Sequence, residues 1–118
     1  MHYTLLFYES PEEFAARNDP RQRDDFWPPF LHYIKAIRDA GVYVAGSGLQ
    51  GPETATTVKV RDGKRHVQDG PYPETKEQLG GFVIIDVPHL DAALEWAARC
   101  PQRPGRGVEV RPNLLPRE

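Results

Sequence analysis

A chain of 118 residues and 13.4 kDa is the size of one domain, long enough to bury one core and too short for two. Apolar residues make up 39% and charged residues 27%, which is ordinary for a globular protein, while 12 Pro and 10 Gly point to many short connections rather than long helices. The 17 acidic and 15 basic residues are interspersed and sum to −2, so no basic field exists to hold a phosphate backbone, and nucleic acid is excluded as an expected direct partner.

The single cysteine, Cys100, excludes an intrachain disulfide and points to a reducing, cytoplasmic setting. Met1-His2-Tyr3-Thr4 runs straight into a strand-like segment, without the basic start and apolar stretch of an export signal. The longest apolar runs are four residues, such as Phe82 to Ile85, against the roughly 20 needed to span a bilayer, so no membrane association is expected.

Residues 2–8, rich in aromatic and β-favouring side chains, predict a first strand. Ser10, Pro11 and Glu13 then match a capping box, in which hydroxyl and carboxylate satisfy free amides at a helix end, and a short helix to about Arg17 follows. Trp27, Phe30, Leu31, Ile34 and Ile37 recur at helical spacing behind Asp24 and Asp25, marking the main helix. Gly41 stands where a left-handed cap would end it.

Val42 to Ala45 reads as a strand and Gly46 to Pro52 as a turn-rich loop. Thr54 to Arg61, the turn Asp62-Gly63 and Arg65 to Gln68 make a hairpin. A polar loop, Asp69 to Leu79, leads into the strand Gly81 to Val87. Leu90, Ala93, Leu94 and Ala97 outline one face of a helix ending near Cys100-Pro101, and Val108 to Arg111 is a last strand. With the hairpin set aside, the order β-α-β-β-α-β predicts one α+β domain over residues 1–118, a ferredoxin-like split β-α-β sheet with two main helices on one face. Phe82-Val83-Ile84-Ile85 is apolar at every position, so both sheet faces need cover, and a homodimer is the simplest supplier.

Gly46-Ser47-Gly48-Leu49-Gln50-Gly51 matches G-x-G-x-x-G, but Pro52 and a β-favouring run follow where nucleotide binding needs a helix N-terminus, so no nucleotide cofactor is expected. His2, His32, His66 and His89 are isolated and form no zinc-ligand spacing, so no metal is expected. Gly46-Ser47-Gly48 lacks the spacing of a nucleophilic serine elbow. Cys100 reads as a small core or edge residue.

The densest polar cluster is Asp69-Gly70-Pro71-Tyr72-Pro73-Glu74-Thr75-Lys76-Glu77. Rigid polar loops suit binding sites, although composition alone favours a solvated turn with weak surface pairs. Glu109 and Arg111 fall on one face of the last strand, where they form either a structural ion pair or part of an enclosed polar cavity.

Asp69-Gly70-Pro71-Tyr72, with Glu74-Thr75-Lys76-Glu77-Gln78-Leu79-Gly80-Gly81 behind it, resembles the signature of the Asp-Gly-Pro-Phe subgroup of the YCII-related family, Tyr72 replacing the usual Phe. Ala40-Gly41-Val42 with Gly48-Leu49, the run Leu90 to Ala97, and Val108 to Pro112 add matches in the same order. The resemblance implies a ferredoxin-like fold and a dimeric, α/β-barrel-like assembly whose two sheets face each other. It also implies enzymes carrying a His-Asp pair, with relatives acting on chlorinated or lactone-type rings, and, for this subgroup, an accessory role beside extracytoplasmic-function sigma factors. The family histidine falls at Phe30 here, and His32 is rotated from it by about 200° around the helix.

The candidate site therefore has Asp69 as the proton-transfer group, Lys76 and Arg111 holding an anionic oxygen of a small-molecule ligand, and Trp27 and Tyr72 as its apolar wall. The alternative is a non-catalytic regulatory module.

Overall fold

The computed structural model describes residues 1–72 and 75–115. Pro73 and Glu74 of the polar loop, and residues 116–118 of the C-terminal tail, lie outside the described residues.

β1 (His2–Glu9) alternates strictly, with Tyr3, Leu5, Phe7 and Glu9 buried on one face and Thr4, Leu6 and Tyr8 half-buried on the other. It lies at the centre of a four-stranded sheet with β2 (Tyr43–Gly48), β5 (Gln78–Asp86) and β6 (Gly107–Pro112), in the order β2-β5-β1-β6. Every neighbouring pair is antiparallel, so β1 and β2 run parallel on either side of β5. Leu5 stands opposite Val83 and Val110, and Phe7 opposite Gly81 and Val108.

Among the described residues, three α-helices complete the domain. α1 (Pro11–Ala16) starts at Ser10, whose Oγ accepts from the Glu13 amide at 3.4 Å. Only this half of the capping box forms, because the Glu13 carboxylate accepts from Arg103 Nε at 2.7 Å instead of turning back to the cap. α2 (Arg23–Asp39) ends as expected at Gly41, with φ of 75°. Its interior prolines, Pro28 and Pro29, are exposed, so the carbonyls they leave without partners face water.

α3 (Leu90–Ala98) is capped by His89, whose Nδ1 accepts from the Ala92 amide at 3.2 Å. Its inner face differs from the expected one. Ala93 is buried and Ala92, Trp96 and Ala97 pack on the core, while Leu90 and Leu94 are exposed. The small alanines let the helix sit close to β1 and β6, and Tyr33 Oη ties α2 to it by donating to the Trp96 carbonyl at 2.7 Å.

The core lies between the helices and the face bearing Tyr3, Leu5, Phe7, Val83 and Ile85. Leu6, Phe82 and Ile84 on the opposite face are only half-buried and do not join it. Gly46, Ser47 and Gly48 extend β2 against Val83, Phe82 and Gly81, so the first half of the glycine-rich motif lies in a strand, and Gly51 leads only into a single 3₁₀ turn rather than an α-helix.

The hairpin stands apart from this sheet. A 3₁₀ turn, Pro52–Thr54, leads into β3 (Thr56–Arg61), which among the described residues pairs only with β4 (Lys64–Asp69). Asp62 and Gly63 both take positive φ, 52° and 74°, the turn that Asp-Gly favours. Val58 and Val67 face each other on one side of this ribbon with Val60 beside them, and all three are more than half exposed.

Candidate functional site

The stripe predicted on α2 divides its work. Of its residues Ile37 is buried, while Trp27, Phe30, Leu31 and Ile34 line a cavity of about 260 Å3 between α2 and the sheet, Phe30 and Ile34 packing on the core as well. Phe26, outside the predicted stripe, is buried and also lines the cavity. Phe7 and Val83 form its sheet side, and Phe30 meets Phe7 edge-to-face with ring centroids 5.3 Å apart. Glycines make the opposite wall. A Cβ on Gly46 would fall 2.8 Å from the Phe82 carbonyl oxygen, and one on Gly80 would fall 2.5 Å from Arg17 Nη2. Gly80 is the extra residue of β5 where the register with β1 shifts between Phe7 and Tyr8.

Among the described residues, three with charged side chains line this cavity: Glu9, Arg17 and Arg106. Arg106 Nε donates to Glu9 Oε1 at 3.1 Å and Nη1 to the Pro101 carbonyl at 2.9 Å. Its Nη2 lies 3.0 Å from the same Glu9 oxygen but is not aligned to hydrogen-bond. Arg17 donates through Nη1 to the Leu49 carbonyl and through Nη2 to the Gly80 carbonyl at 2.9 Å, fastening the end of α1 to β2 and β5. Trp27 Nε1 donates to the Arg17 carbonyl at 2.9 Å, and the Arg17 guanidinium lies 4.7 Å from the Phe14 ring centroid.

Glu9 Oε2, Arg17 Nε and Arg106 Nη2 are buried without a hydrogen-bond partner. Burial pushes the Glu9 carboxyl above its usual range, and the neighbouring Arg106 offsets that shift only in part. Burial likewise lowers Arg17 from the ordinary guanidinium value. The arrangement can accept a proton at Glu9 and hold negative charge between two fixed guanidiniums.

Of the five residues singled out in the sequence, only Trp27 lines this cavity. Asp69 ends β4 and is exposed, opposite Thr56. Tyr72 is exposed, with Lys59 Nζ 4.9 Å from its ring centroid, and Lys76 is exposed beyond it. Arg111 sits on the other face of the sheet, donating to both Glu109 carboxylate oxygens at 3.0 and 3.2 Å. The sheet lies between Trp27 and Arg111, so within one chain these five side chains do not converge.

Glu9, Arg17 and Arg106 were not among the sequence candidates. The signal for Glu9 was available, since the alternation Tyr3, Leu5, Phe7 carried one step further puts a carboxylate on the buried face. Nothing comparable marked Arg17 and Arg106, which reach Glu9 only through the tertiary fold. Among the described residues, no group of three or more His, Cys, Asp or Glu is placed to hold a metal ion, and no helix is long and apolar enough to cross a membrane.

Residues 1–112 match the YCII-related domain. The chain is also 47% identical over 120 residues to an uncharacterised protein of Rhizobium meliloti (strain 1021), covering 98% of this chain and 94% of that one. With the match extending from the first strand through the last, the chain belongs to the YCII-related family.

Proposed function

We propose that this chain is a small-molecule enzyme or binding protein that works in the cavity beneath α2, with Glu9 as its proton-transfer group. The observation that carries this reading is the Glu9, Arg17 and Arg106 cluster at one end of an aromatic-walled cavity, with the Glu9 and Arg106 side chains almost wholly buried. Apolar pockets with a few convergent polar groups are the usual form of a small-molecule site. Phe30, at the position of the family histidine, lines the same cavity, so this chain replaces a His-Asp pair with a carboxylate and two guanidiniums. Asp69-Gly70-Pro71-Tyr72 supports placement in the Asp-Gly-Pro-Phe subgroup, and the buried, unpaired Cys100 supports a cytoplasmic setting.

The working form in this reading is a homodimer built on a ferredoxin-like protomer, which the strand order β2-β5-β1-β6 supports. The Cα radius of gyration is 16.2 Å, against about 13.5 Å for a compact domain of this length. The accessible surface is 8400 Å2, about 1,900 Å2 above the roughly 6,500 Å2 expected for the mass. That excess is more than the ~800 Å2 each partner buries in a standard interface. A second copy over Leu6, Phe82 and Ile84 would cover the apolar open face and bring the β3–β4 ribbon, with Asp69, Tyr72 and Lys76 at its base, against the partner.

A protein-detected NMR screen with neutral single-ring compounds tests the cavity. Amide shifts gathered at Phe7, Trp27, Phe30 and Gly80 are the expected result, and Glu9→Gln should retain binding while losing any turnover. Absence of cavity binding, together with stoichiometric recovery of a sigma factor from the native host, would replace this reading by the accessory role.

A further inference from the structure

We infer that the end of the chain is an anchor for a second copy: Leu114 and Leu115 of one protomer insert into a groove beside Tyr8 and Leu79 of the other. The inference rests on the homodimer of the reading above and goes beyond it by naming the two segments that meet.

The tail is held in place but left uncovered by its own chain. The Asn113 amide donates to the His2 carbonyl at 3.0 Å, and Asn113 Oδ1 accepts from Thr4 Oγ1 at 2.6 Å, so the chain leaves β6 fastened to the first residues of β1. Leu114 and Leu115 follow at once, 98% and 74% exposed, and among the described residues no other large apolar side chain is more exposed than either. Two consecutive leucines in water, beside a sheet face that is itself open, mark a surface made to be buried.

The groove lies on the same open face at the opposite end of β1. Tyr8 and Leu79 stand opposite each other across the β1–β5 ladder, and with Leu49, Pro52, Ala55 and Pro71 they line a mainly apolar groove of about 470 Å3. A dry cavity of about 150 Å3 takes a benzene ring, so this groove has room for two side chains smaller than that ring. The Gly70 amide donates to the Ala55 carbonyl at 2.8 Å, tying together the segments that enter and leave the ribbon. Asp69-Gly70-Pro71-Tyr72 thereby gains a structural part, as one wall of the socket.

Reach decides which copy fills it. From His2 to Tyr8 the strand covers about 20 Å, whereas Leu115, two residues beyond Asn113, extends at most about 7 Å from it. The leucines therefore cannot enter the groove of their own chain. Two open faces related by a two-fold axis running across the strands place the start of one β1 over the end of the other, and symmetry makes the tail-to-groove contact twice.

Sedimentation of the full chain and of the variant Leu114→Ser/Leu115→Ser tests the anchor. The wild type should be dimeric at micromolar concentration, and the variant should need at least about 100-fold more protein to associate, because both tails lose their apolar contact. Neither leucine belongs to the protomer core, so the variant should fold as the wild type does. A chain carrying Ala55→Cys and Leu115→Cys, with Cys100→Ala to remove the native thiol, locates the socket: oxidation should give a disulfide-linked species of twice 13.4 kDa. A serine variant that associates as tightly as wild type, a disulfide closed within one chain, or no disulfide at all overturns the anchor and leaves the homodimer in place. A wild type that sediments as one chain overturns both.

Discussion

Arg106 Nε donates to Glu9 Oε1 at 3.1 Å across a sequence separation of 97 residues, and both side chains are 3% exposed. The pair joins the end of the first strand to the segment before the last, so it is both a brace and the polar end of the cavity.

Removing one partner leaves the other buried without a counter-charge. Glu9→Leu and Arg106→Met should each destabilise the protein by about 3–5 kcal/mol. The double variant, with apolar groups in both places, should return to wild-type stability or above it. Urea denaturation of the four proteins measures this, and strictly additive losses would show that the two side chains do not act as a pair.

The pH dependence of the same site has an unusual sign for a carboxylate. Burial raises the folded-state value of Glu9 above the ordinary 4.5. Between those two values the folded chain holds a proton that the unfolded chain has released, so stability falls as pH rises through that window. The stability difference between wild type and Glu9→Gln should therefore shift against wild type as pH climbs from 4.5, then level off above the folded-state value. A difference that grows in favour of wild type over the same range would mean that Arg106 and Arg17 outweigh burial.

Much of the fold was legible because local signals agreed with it. The alternation of β1, the β-favouring run of β5, Asp62-Gly63 and Gly41 each have one low-energy answer. What was not legible depended on which neighbour a face met. The apolar positions of α2 divide between core and cavity, a distinction that helical periodicity does not contain. On α3 the leucines suggested the inner face, yet close packing on the sheet selects the alanines. The site was harder still: a dense polar loop attracted attention to Asp69 and Lys76, whereas Glu9, Arg17 and Arg106 come from three separated segments and meet only in the folded chain.

Cys100 is buried and its thiol is pushed up to about 11, chiefly by desolvation. Relative to the ordinary 9.0, that lowers the thiolate fraction at neutral pH by about 100-fold before access is considered. Reaction with an aromatic disulfide reagent should be slower in the native protein than in urea by at least about that factor. Comparable rates in the two states would show that the α3 end opens readily.

The open face of the sheet sets the last expectation. Ile84 lies on β5 between Thr4 and Ala45, pointing away from the helices, and is half-buried by its own chain alone. Covering it with a second copy removes apolar surface worth about 25 cal/mol per Å2, whereas a lysine there would place a charge in the middle of the contact. Sedimentation should give twice 13.4 kDa for wild type at micromolar concentration and 13.4 kDa for Ile84→Lys. The circular dichroism of the variant should be unchanged, because the side chain is outside the helix-covered core. A wild type that sediments as a single chain would remove the dimer from the account while leaving the cavity, which lies on the other side of the sheet, where it is.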